Sequence, residues 1–371
     1  MEIQAVISKR QLKEFIYLPF KLHKNHSNWV PPLISEQYRY FDRRHNPALA
    51  YCNITQAIAV KNGQTIGRIM GIENMKYNEQ KQQKSARFAL LECIDDSDVA
   101  NALLEYVGEW AKSRGLVSIT GPMGMCYQDP KGFQVEGFDK IPAVSTYCNH
   151  PYMIGLMEKA GYQPKSKMVV YEIDIGDDIP DFYKRIFQRI ASNPSMKLID
   201  LKSKRDLLRY ANSILELLNS SFTDLEDFVP LSQEEMDAMS KQFLIMLNPN
   251  FVKIATYEGN LAGFMIAMPN ISKGLMAAKG RILPFGFLKI RQAMKNSTRL
   301  DLLVGGIHPK YRGRGIDVLM GIDLMESARN VGITTVDTHL ELEENTRVRA
   351  EMEKVGGHIY KRYQLFFKSL T

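Results

Sequence analysis

The chain has 371 residues, of which 45% are hydrophobic and 24% are charged. At about 150 residues per domain this length predicts two domains, and the composition excludes disordered, collagen-like and coiled-coil proteins. The net charge of +7 is compatible with an anionic partner, either a phosphorylated cofactor or a nucleic acid, and does not choose between them.

The N-terminal residues and the cysteines indicate the compartment. Charged residues interrupt the segment in which a signal peptide needs an unbroken apolar run: Lys9, Arg10, Lys13 and Glu14. No apolar run reaches the roughly 20 residues of a membrane-spanning helix. The four cysteines form no C-x-x-C pair. His23, His26 and His45 have no metal-ligand spacing, so we expect these histidines at the surface. We therefore expect a cytoplasmic protein that binds no metal.

The first half contains, in chain order, a predicted β-hairpin around GQTIG (63–67), an amphipathic helix over 99–115 and a short helix ending in MEKAG (157–161). Between the two helices, residues 121–149 are rich in Gly, Pro and aromatic residues and have no regular period. Such loops often line binding sites, so we expect this one to wall a substrate pocket, with a packed surface loop as the alternative. Its candidate wall residues are Tyr127, Phe133 and Phe138.

The second half repeats this order of elements. A hairpin around GNLAG (259–263), an amphipathic helix over 315–331 and a helix ending in MEKVG (352–356) precede a β-rich run. Turn residues without an apolar period mark a boundary at GDDIP (176–180), so the repeat predicts two mixed α/β domains, 1–175 and 176–371. The other elements predicted in the second half are strands over 197–201, 300–307, 335–342 and 359–368 and helices over 207–218 and 233–247.

The turn before the second main helix carries the clearest functional signal, because residues 307–316 read IHPKYRGRGI. A helix N-terminus has unpaired backbone N–H groups and the positive end of the helix dipole, and nearby glycines let an anion approach the backbone. Arg312 and Arg314 add two permanent charges. The turn is therefore predicted to bind a pyrophosphate, although neither the Walker pattern nor G-x-G-x-x-G is present.

This segment, with a strand ending in ELEEN (341–345) and a helix ending in MEKVGG, resembles the GNAT superfamily of acyl-CoA-dependent N-acyltransferases. The resemblance covers most of the second half and extends more weakly to the first through the repeat. It implies a mixed α/β (α+β) protein of two tandem GNAT-like domains, each with a mixed, mostly antiparallel sheet flanked by helices.

The resemblance also implies an acyl-CoA site in the second half. Coenzyme A pyrophosphate would bind the backbone amides of the turn: Arg312, Gly313, Arg314, Gly315 and Ile316. Pantetheine would pair with the strand edge at Gly305 and Ile307, and Asn345 stands where the family often has a pantetheine-contacting Asn. Asp317 departs from the family, which prefers Gly or Ala at this position. A carboxylate in the first helical turn repels the phosphates that would bind there.

The repeat aligns four different residues of the first half with this turn: Asp95, Asp96, Ser97 and Asp98. Three carboxylates and a serine replace the two guanidinium groups and the two glycines, so this loop should repel a pyrophosphate. We therefore expect one cofactor site per chain, in the second half.

Candidate catalytic residues follow the next strand. His339, Glu341 and Glu343 alternate with leucines, so they are predicted to share one strand face, and Glu341 or Glu343 would accept the amine proton. The alternative is that this face is solvated. The family often has a Tyr that acts as the general acid at the position where this chain has Met352. Tyr360 and Tyr363 are weaker candidates for that role.

These features together predict a cytoplasmic acyl-CoA-dependent N-acyltransferase, with acetyl-CoA as the expected donor or another acyl-CoA in its place. The expected acceptor is a small-molecule or peptide amine, without a nucleic-acid or membrane partner, and the chain is expected to be a monomer or homodimer. Two alternatives stay open. One is a catalytically silent acyl-CoA-binding or sensing protein, and the other is a nucleic-acid-associated protein suggested by the charge of +7.

Overall fold

The computed structural model describes the chain except residues 177, 178, 180, 224, 226 and 227, and describes only the backbone of 241–246. The strands in this part of the chain are β1 (Glu2–Ala5), β2 (Cys52–Lys61), β3 (Gln64–Asn74), β4 (Ser85–Cys93), β5 (Ser118–Gly121), β6 (Phe133–Glu136), β7 (Gln163–Asp174), β8 (Met196–Leu198), β9 (Val252–Tyr257), β10 (Asn260–Pro269), β11 (Arg299–Ile307), β12 (Thr335–Thr338), β13 (Glu341–Leu342) and β14 (His358–Ser369). The helices are α1 (Lys9–Leu22), α2 (Ile34–Tyr40), α3 (Met75–Lys81), α4 (Ser97–Ser113), α5 (Tyr152–Lys159), α6 (Asp181–Ala191), α7 (Lys204–Ser221), α8 (Gln233–Met246), α9 (Ser272–Ala278), α10 (Gly286–Lys295), α11 (Ile316–Arg329) and α12 (Thr346–Lys354).

Both predicted hairpins form, and for the same backbone reason. The β2–β3 turn has Asn62 and Gly63 at positive φ, and the β9–β10 turn has Glu258 and Gly259 at positive φ. A tight turn with two positive-φ residues matches the right-handed twist of the strands that it joins. The two halves therefore start their sheets in the same way.

All of these strands belong to one sheet, in the order β1-β2-β3-β4-β5-β14-β7-β12-β11-β10-β9-β8, with β6 paired to β14 and β13 to β7. Neighbouring strands are antiparallel except for β4 with β5 and β11 with β12. Each half thus contributes one parallel pair. The predicted fold class, a mixed and mostly antiparallel sheet flanked by helices, is confirmed.

The two halves exchange their last strands. β14, from the end of the chain, lies between β5 and β7 of the first half, and β7 lies between β14 and β12. The antiparallel β7–β14 pairing extends from His358 opposite Glu172 to Phe367 opposite Gln163. Three residues of the predicted 176–180 boundary lie outside the described residues, and the division into 1–175 and 176–371 stays a prediction.

Each half has a core beneath its own main helix. α4 buries Val99, Leu103 and Val107 against the first half of the sheet, and α11 buries Leu319 and Leu324 against the second. Among the described helices, none is both long and apolar enough to cross a membrane.

The structure differs from the elements predicted for the second half at three places. The strand predicted over 335–342 is interrupted, because β12 leaves β11 after Thr338 and the chain then pairs with β7 as β13. The helices α6, α9 and α10 were also not predicted, and α9 and α10 form a hairpin between β10 and β11.

The strand exchange makes the last strand a structural element of the first half. Phe366 of β14 is 1% exposed in the first-half core. We expect Phe366→Ala to lower the free energy of unfolding by about 3–5 kcal/mol, because a cavity opens among residues that cannot collapse into it. Denaturant unfolding would measure this change.

Phe182→Ala serves as the control, since Phe182 is 57% exposed. It should change the unfolding free energy by less than about 0.5 kcal/mol. Equal, small effects of both substitutions would contradict the role assigned to β14.

Candidate functional site

The turn between β11 and α11 has a backbone conformation that requires glycine. Gly313 and Gly315 have φ of 76° and 78°, in the left-handed region. A Cβ on Gly315 would also lie 2.3 Å from Ile190 Cδ1 of α6, which packs over the turn. The glycines of RGRG therefore let the chain enter α11 at this angle beneath α6.

The same turn carries six consecutive backbone N–H groups, from 313 to 318, that have no acceptor among the described residues. Gly315 is the N-cap residue of α11 and supplies no side-chain cap. The Asp317 carboxylate therefore does not occupy these donors. Burial, followed by the charges of Glu351 and Asp317, raises the pKa of Tyr183 on α6, so Asp317 lies near that helix. The amides are available to a bound anion.

Three guanidinium groups surround this turn. Arg314 lies over the Tyr257 ring, with 4.8 Å between the guanidinium carbon and the ring centroid, and Arg312 donates to the Ser221 carbonyl at 3.2 Å. Arg189 of α6 lines a cavity of about 270 Å³ together with Gly313 and Arg314. These cations and the bare amides favour a phosphorylated ligand.

Sequence reasoning missed Arg189, because α6 was not predicted. A signal was present: Tyr183, Ile186 and Ile190 recur at helical spacing and form the face of α6 that packs toward α11. The arginine lies on the same helix, beside the turn.

β11 and β12 form a fork above this turn. They pair in parallel only from Arg299 with Thr335 to Leu302 with Thr338, and the His339 N–H then donates to the Leu302 carbonyl at 3.1 Å. Beyond the fork, residues 303–307 of β11 have no strand on that side among the described residues, and Gly305 is exposed. Five residues leave about 16 Å of free edge between the fork and the turn. This edge contains both predicted pantetheine contacts, Gly305 and Ile307.

Asn345 opens α12 as its N-cap. Its side-chain oxygen accepts from the Val348 N–H at 3.4 Å, and its backbone N–H donates to the Leu342 carbonyl at 2.9 Å. The side-chain amide group has no hydrogen bond to the described residues, so it keeps its donors while the oxygen caps the helix.

Glu341 and Glu343 have different surroundings. Glu343 accepts from the Arg362 guanidinium, which also bonds Glu136 at 3.0 Å. Glu341 is half-buried, and no hydrogen-bond or ion-pair partner for it exists in the described chain. Burial raises the pKa of Glu341 to about 7, and the charge of Lys131 opposes this shift. Glu341 can therefore exchange a proton at neutral pH, whereas Glu343 is held in an ion pair.

His339 lies beside Glu341 at the fork. Burial, with the nearby charge of Lys131, lowers its pKa to about 4, although a hydrogen bond to the Val144 backbone opposes the shift. The imidazole is neutral at physiological pH and is a weak base. Lys131 and Val144 both belong to the 121–149 loop, so the first half supplies part of the surroundings of these residues.

The 121–149 loop only partly follows the prediction for its aromatic residues. Phe133 is fully buried in the first-half core against Phe88 and Phe366, so its predicted place in a pocket wall is wrong. Tyr127 packs edge-to-face on Phe222 and Phe228 of the second half. Phe138 is half-buried and its carbonyl accepts from the Asn28 side chain at 3.0 Å. The loop joins the halves through packing at these positions.

A buried group of charges lies at the base of the fork and was missed by sequence reasoning. Asp301 and Asp337 face each other in the parallel register and are 2% and 1% exposed, and Lys361 is 1% exposed. Burial raises the pKa of both aspartates and lowers the pKa of Lys361. Asp337 continues the alternation of His339 and Glu341 by one step, which is a signal in the sequence.

The two candidate general acids are both engaged. The Tyr360 hydroxyl donates to Asp337, and the Tyr363 hydroxyl donates to Thr146 at 3.3 Å. Met352, at the position of the family tyrosine, is half-buried and packs against the core under α11. A free hydroxyl for the leaving group is therefore not found at these positions.

The corresponding site in the first half is closed by the chain itself. Asp96 caps α4 by accepting from the Asp98 N–H at 3.0 Å, so a carboxylate occupies the helix start. The free edge of β4 is also bonded, because the Leu90 N–H donates to the Tyr147 hydroxyl at 3.2 Å. This difference between the halves supports the prediction of one site.

Of the three histidines predicted to lie at the surface, His45 is exposed and His26 is half-buried. His23 is buried, at 4% exposure, which corrects the expected surface position. Four rings stack in succession, Trp29, His23, His150 and Tyr152, with centroids 4.9, 4.5 and 5.1 Å apart. His26 adds a nitrogen 3.0 Å from His23 Nδ1. Ring nitrogens of His23, His26 and His150 lie within 4.8 Å of one another, so His150 adds a third nitrogen that the sequence spacing does not show. The His23 Nε2 atom also lies 3.4 Å from a Glu92 carboxylate oxygen.

Comparison with known proteins agrees with this architecture. No protein-family profile matches the sequence. The chain is 26% identical to the bacterial ceramide synthase of Caulobacter vibrioides over 380 residues, covering 100% of this chain and 98% of that protein.

Two of the solved structures that match this chain over its whole length are GNAT-type proteins. A tandem GNAT protein from the clavulanic acid biosynthesis pathway matches with a TM-score of 0.59 and 13% identity, over 98% of its own length. A GCN5-related N-acetyltransferase from Sphaerobacter thermophilus matches with a TM-score of 0.54 and 12% identity, over 95% of its length. The chain has the tandem GNAT fold.

The geometry of the turn predicts how coenzyme A binding responds to charge. Arg314→Ala should weaken binding about 10- to 100-fold, because a charge-assisted hydrogen bond contributes about 1.5–3 kcal/mol. Asp317→Asn should strengthen binding about 2- to 5-fold, because it removes a negative charge from the first helical turn. Isothermal titration calorimetry would measure both, with one molecule bound per chain.

Arg329→Ala is the matched control, since Arg329 lies at the opposite end of α11 and donates to the Gly176 carbonyl at 3.2 Å. Its affinity should equal that of the unmodified protein. Two bound molecules per chain, or equal weakening by both arginine substitutions, would contradict the single site.

Proposed function

We propose that this tandem GNAT-fold protein transfers an acyl group from coenzyme A to an amine. The observation that carries the proposal is the set of six backbone N–H groups at 313–318 that have no acceptor among the described residues and are flanked by Arg312, Arg314 and Arg189. Such donors suit a pyrophosphate, and among the described residues there is no carboxylate cap on α11 like that of Asp96 on α4.

The donor would extend along the free edge of β11. With the pyrophosphate at the turn, the two amide groups of a pantetheine arm can pair with residues 303–307, near Gly305 and Ile307. Asn345, which keeps its amide donors, would contact this arm. The arm then leads toward the fork at Leu302 and Thr338, where β11 and β12 separate.

Glu341 would accept the proton at the fork. The amine nitrogen forms a bond to the acyl carbon, the carbon–sulfur bond breaks, and the sulfur leaves as thiolate. The proton lost by the nitrogen goes to Glu341, directly or through water, and then to solvent. A carboxylate with a raised pKa near 7 is suited to this transfer at neutral pH. Glu343 was an equal candidate from sequence, and its ion pair with Arg362 favours Glu341.

The acceptor that we propose is a long-chain 2-amino alcohol, with a fatty acyl-CoA as donor. The support is the name of the Caulobacter relative, because a ceramide is the amide of such an amine and a fatty acid. Two half-buried apolar residues of the β11 edge, Leu303 and Val304, pack against the same apolar cluster as Tyr127, and such surroundings suit hydrocarbon chains. An acetyl donor is the earlier expectation and is a separate arm of the test.

Formation of the amide product would test the function directly. The purified protein is incubated with acetyl-CoA or palmitoyl-CoA and sphinganine, and the amide product is identified by mass spectrometry. We expect product with palmitoyl-CoA. Product with acetyl-CoA but not with palmitoyl-CoA would favour an acetyltransferase. Coenzyme A binding without product across an amine panel would support the silent acyl-CoA-binding alternative.

The role of Glu341 predicts a specific pH dependence. The carboxylate must be ionised to accept a proton, so kcat/KM should rise with pH through about 7. Glu341→Gln should lower kcat about 10²- to 10⁴-fold and remove this limb, while any limb from the amine substrate at higher pH is retained.

Glu343→Gln is the matched control, because it makes the same change two residues away in an ion pair. It should keep the limb near pH 7 and most of kcat. Equal activity of both variants would remove Glu341 from the mechanism.

A further inference from the structure

The helical hairpin formed by α9 and α10, residues 272–295, distinguishes the second half from the first. In the first half, α3 alone connects β3 to β4, whereas here α9 is followed by a turn and by α10 before β11 begins. The turn and α10 are therefore additional, and their residues have no part in the candidate acyl-CoA site.

This hairpin is held rigidly at its base. A Cβ on Gly274 of α9 would lie 2.7 Å from Ile290 Cα of α10, so the two helices touch at their backbones. The Ile34 N–H donates to the Gly280 carbonyl at 2.9 Å, and Ser272 donates to the Pro142 carbonyl at 3.2 Å. The outer side chains of the hairpin are thus presented on a fixed support.

The outer end of the hairpin exposes large apolar side chains. Leu283, Phe285, Phe287 and Leu288 are 75%, 67%, 47% and 49% exposed. They are four of the twelve exposed large hydrophobic residues in the described chain, and they lie within six positions, whereas the others are mostly scattered. We call these four residues the apolar tip. A concentrated exposed patch of this kind marks an interaction surface.

The segment around the tip carries positive charge only. Residues 270–297 contain six basic residues and no Asp or Glu: Lys273, Lys279, Arg281, Lys289, Arg291 and Lys295. All six are exposed, and none has an acidic partner within the described part of the chain. Along α10 the apolar residues occupy the first turn and the basic residues follow, while Ile290 and Met294 pack inward.

We propose that the apolar tip docks on an anionic lipid bilayer surface, with the basic residues at the level of the lipid headgroups. Phenylalanine and leucine side chains enter the boundary between headgroups and acyl chains, and lysine and arginine attract the negative surface. This contact needs no membrane-spanning helix, so it is compatible with the absence of one among the described helices. It departs from the sequence-based expectation of no membrane partner.

The charges and apolar side chains of this surface favour a bilayer over a second copy of the chain or a nucleic acid. A symmetric contact between two copies of this chain would bring six cations against six, which repel. A nucleic acid would neutralise the cations but would leave the four apolar side chains in water. An anionic bilayer satisfies both parts of the surface.

The tip is connected to the candidate site through packing. Leu275 of α9 and Ile290 of α10 belong to the same apolar cluster as Leu303, the first residue of the free β11 edge. Docking would therefore position this edge near the lipid surface. The docking proposal concerns binding alone, and it does not depend on the proposed acyl transfer.

Vesicle sedimentation of the full chain tests the proposal. With vesicles of phosphatidylglycerol and phosphatidylcholine in equal parts, we expect binding that weakens as salt rises, and at least tenfold weaker binding to phosphatidylcholine alone. Phe285→Ser with Phe287→Ser should weaken binding at least tenfold. Arg291→Glu with Lys295→Glu should weaken it similarly and reduce its salt dependence.

Matched controls carry the same changes away from the hairpin. Ile7→Ser with Val331→Ser replaces two other exposed apolar residues, and Lys13→Glu with Lys159→Glu reverses two other exposed charges. These variants should bind vesicles within about twofold of the unmodified protein, and thermal unfolding should show that all four variants are folded.

Several outcomes would overturn the proposal. They are no binding to anionic vesicles at low salt, equal binding to both vesicle types, or equal weakening by the hairpin and control variants. A concentration-dependent dimer that the Phe285→Ser, Phe287→Ser variant abolishes would instead assign the tip to contact between two copies.

Discussion

The antiparallel pairing of β7 with β14 is the interaction on which the rest of the structure depends. These two strands lie at the centre of the sheet, and each is the last strand of one half paired next to the other half. β6 of the 121–149 loop pairs with β14, and β13, which contains Glu341, pairs with β7. The exchange therefore fixes the position of the first-half loop relative to the fork in the second half.

The two halves differ in the hydrogen bonding at the strand edge and helix start that correspond in the repeat. In the second half, the β11 edge and the helix start at Gly315 both have unbonded donors among the described residues. In the first half, the chain fills the equivalent places with the Tyr147 hydroxyl and the Asp96 carboxylate. The second half therefore leaves donors available to a ligand. In the first half, side chains of the chain itself fill the equivalent positions, and one of them, Tyr147, belongs to the same 121–149 loop as Lys131 and Val144.

Charged residues have different surroundings at the turn, at the fork and on the helical hairpin. At the turn, exposed arginines lie beside backbone amides that have no acceptor among the described residues, which favours a phosphorylated ligand. At the fork, burial raises the pKa of Glu341 to about 7 and lowers that of His339 to about 4, which separates a base from a neutral neighbour. On the hairpin, six exposed cations surround an apolar tip. Each region uses charge for a different kind of contact, although the net charge of +7 alone selects none of them.

The sequence by itself determined the local features: the two hairpins with their positive-φ turn residues, the main helices, and the Gly/Arg turn with its free amides. These depend on residues close together in the chain, so periodicity and turn chemistry are sufficient. Only the tertiary structure decided that the final strands are exchanged, that Arg189 and Lys131 lie beside the site, that Glu343 is bound to Arg362 while Glu341 is not, and that His23 stacks on His150. Those facts depend on strand register and on contacts between distant segments, which no local pattern encodes.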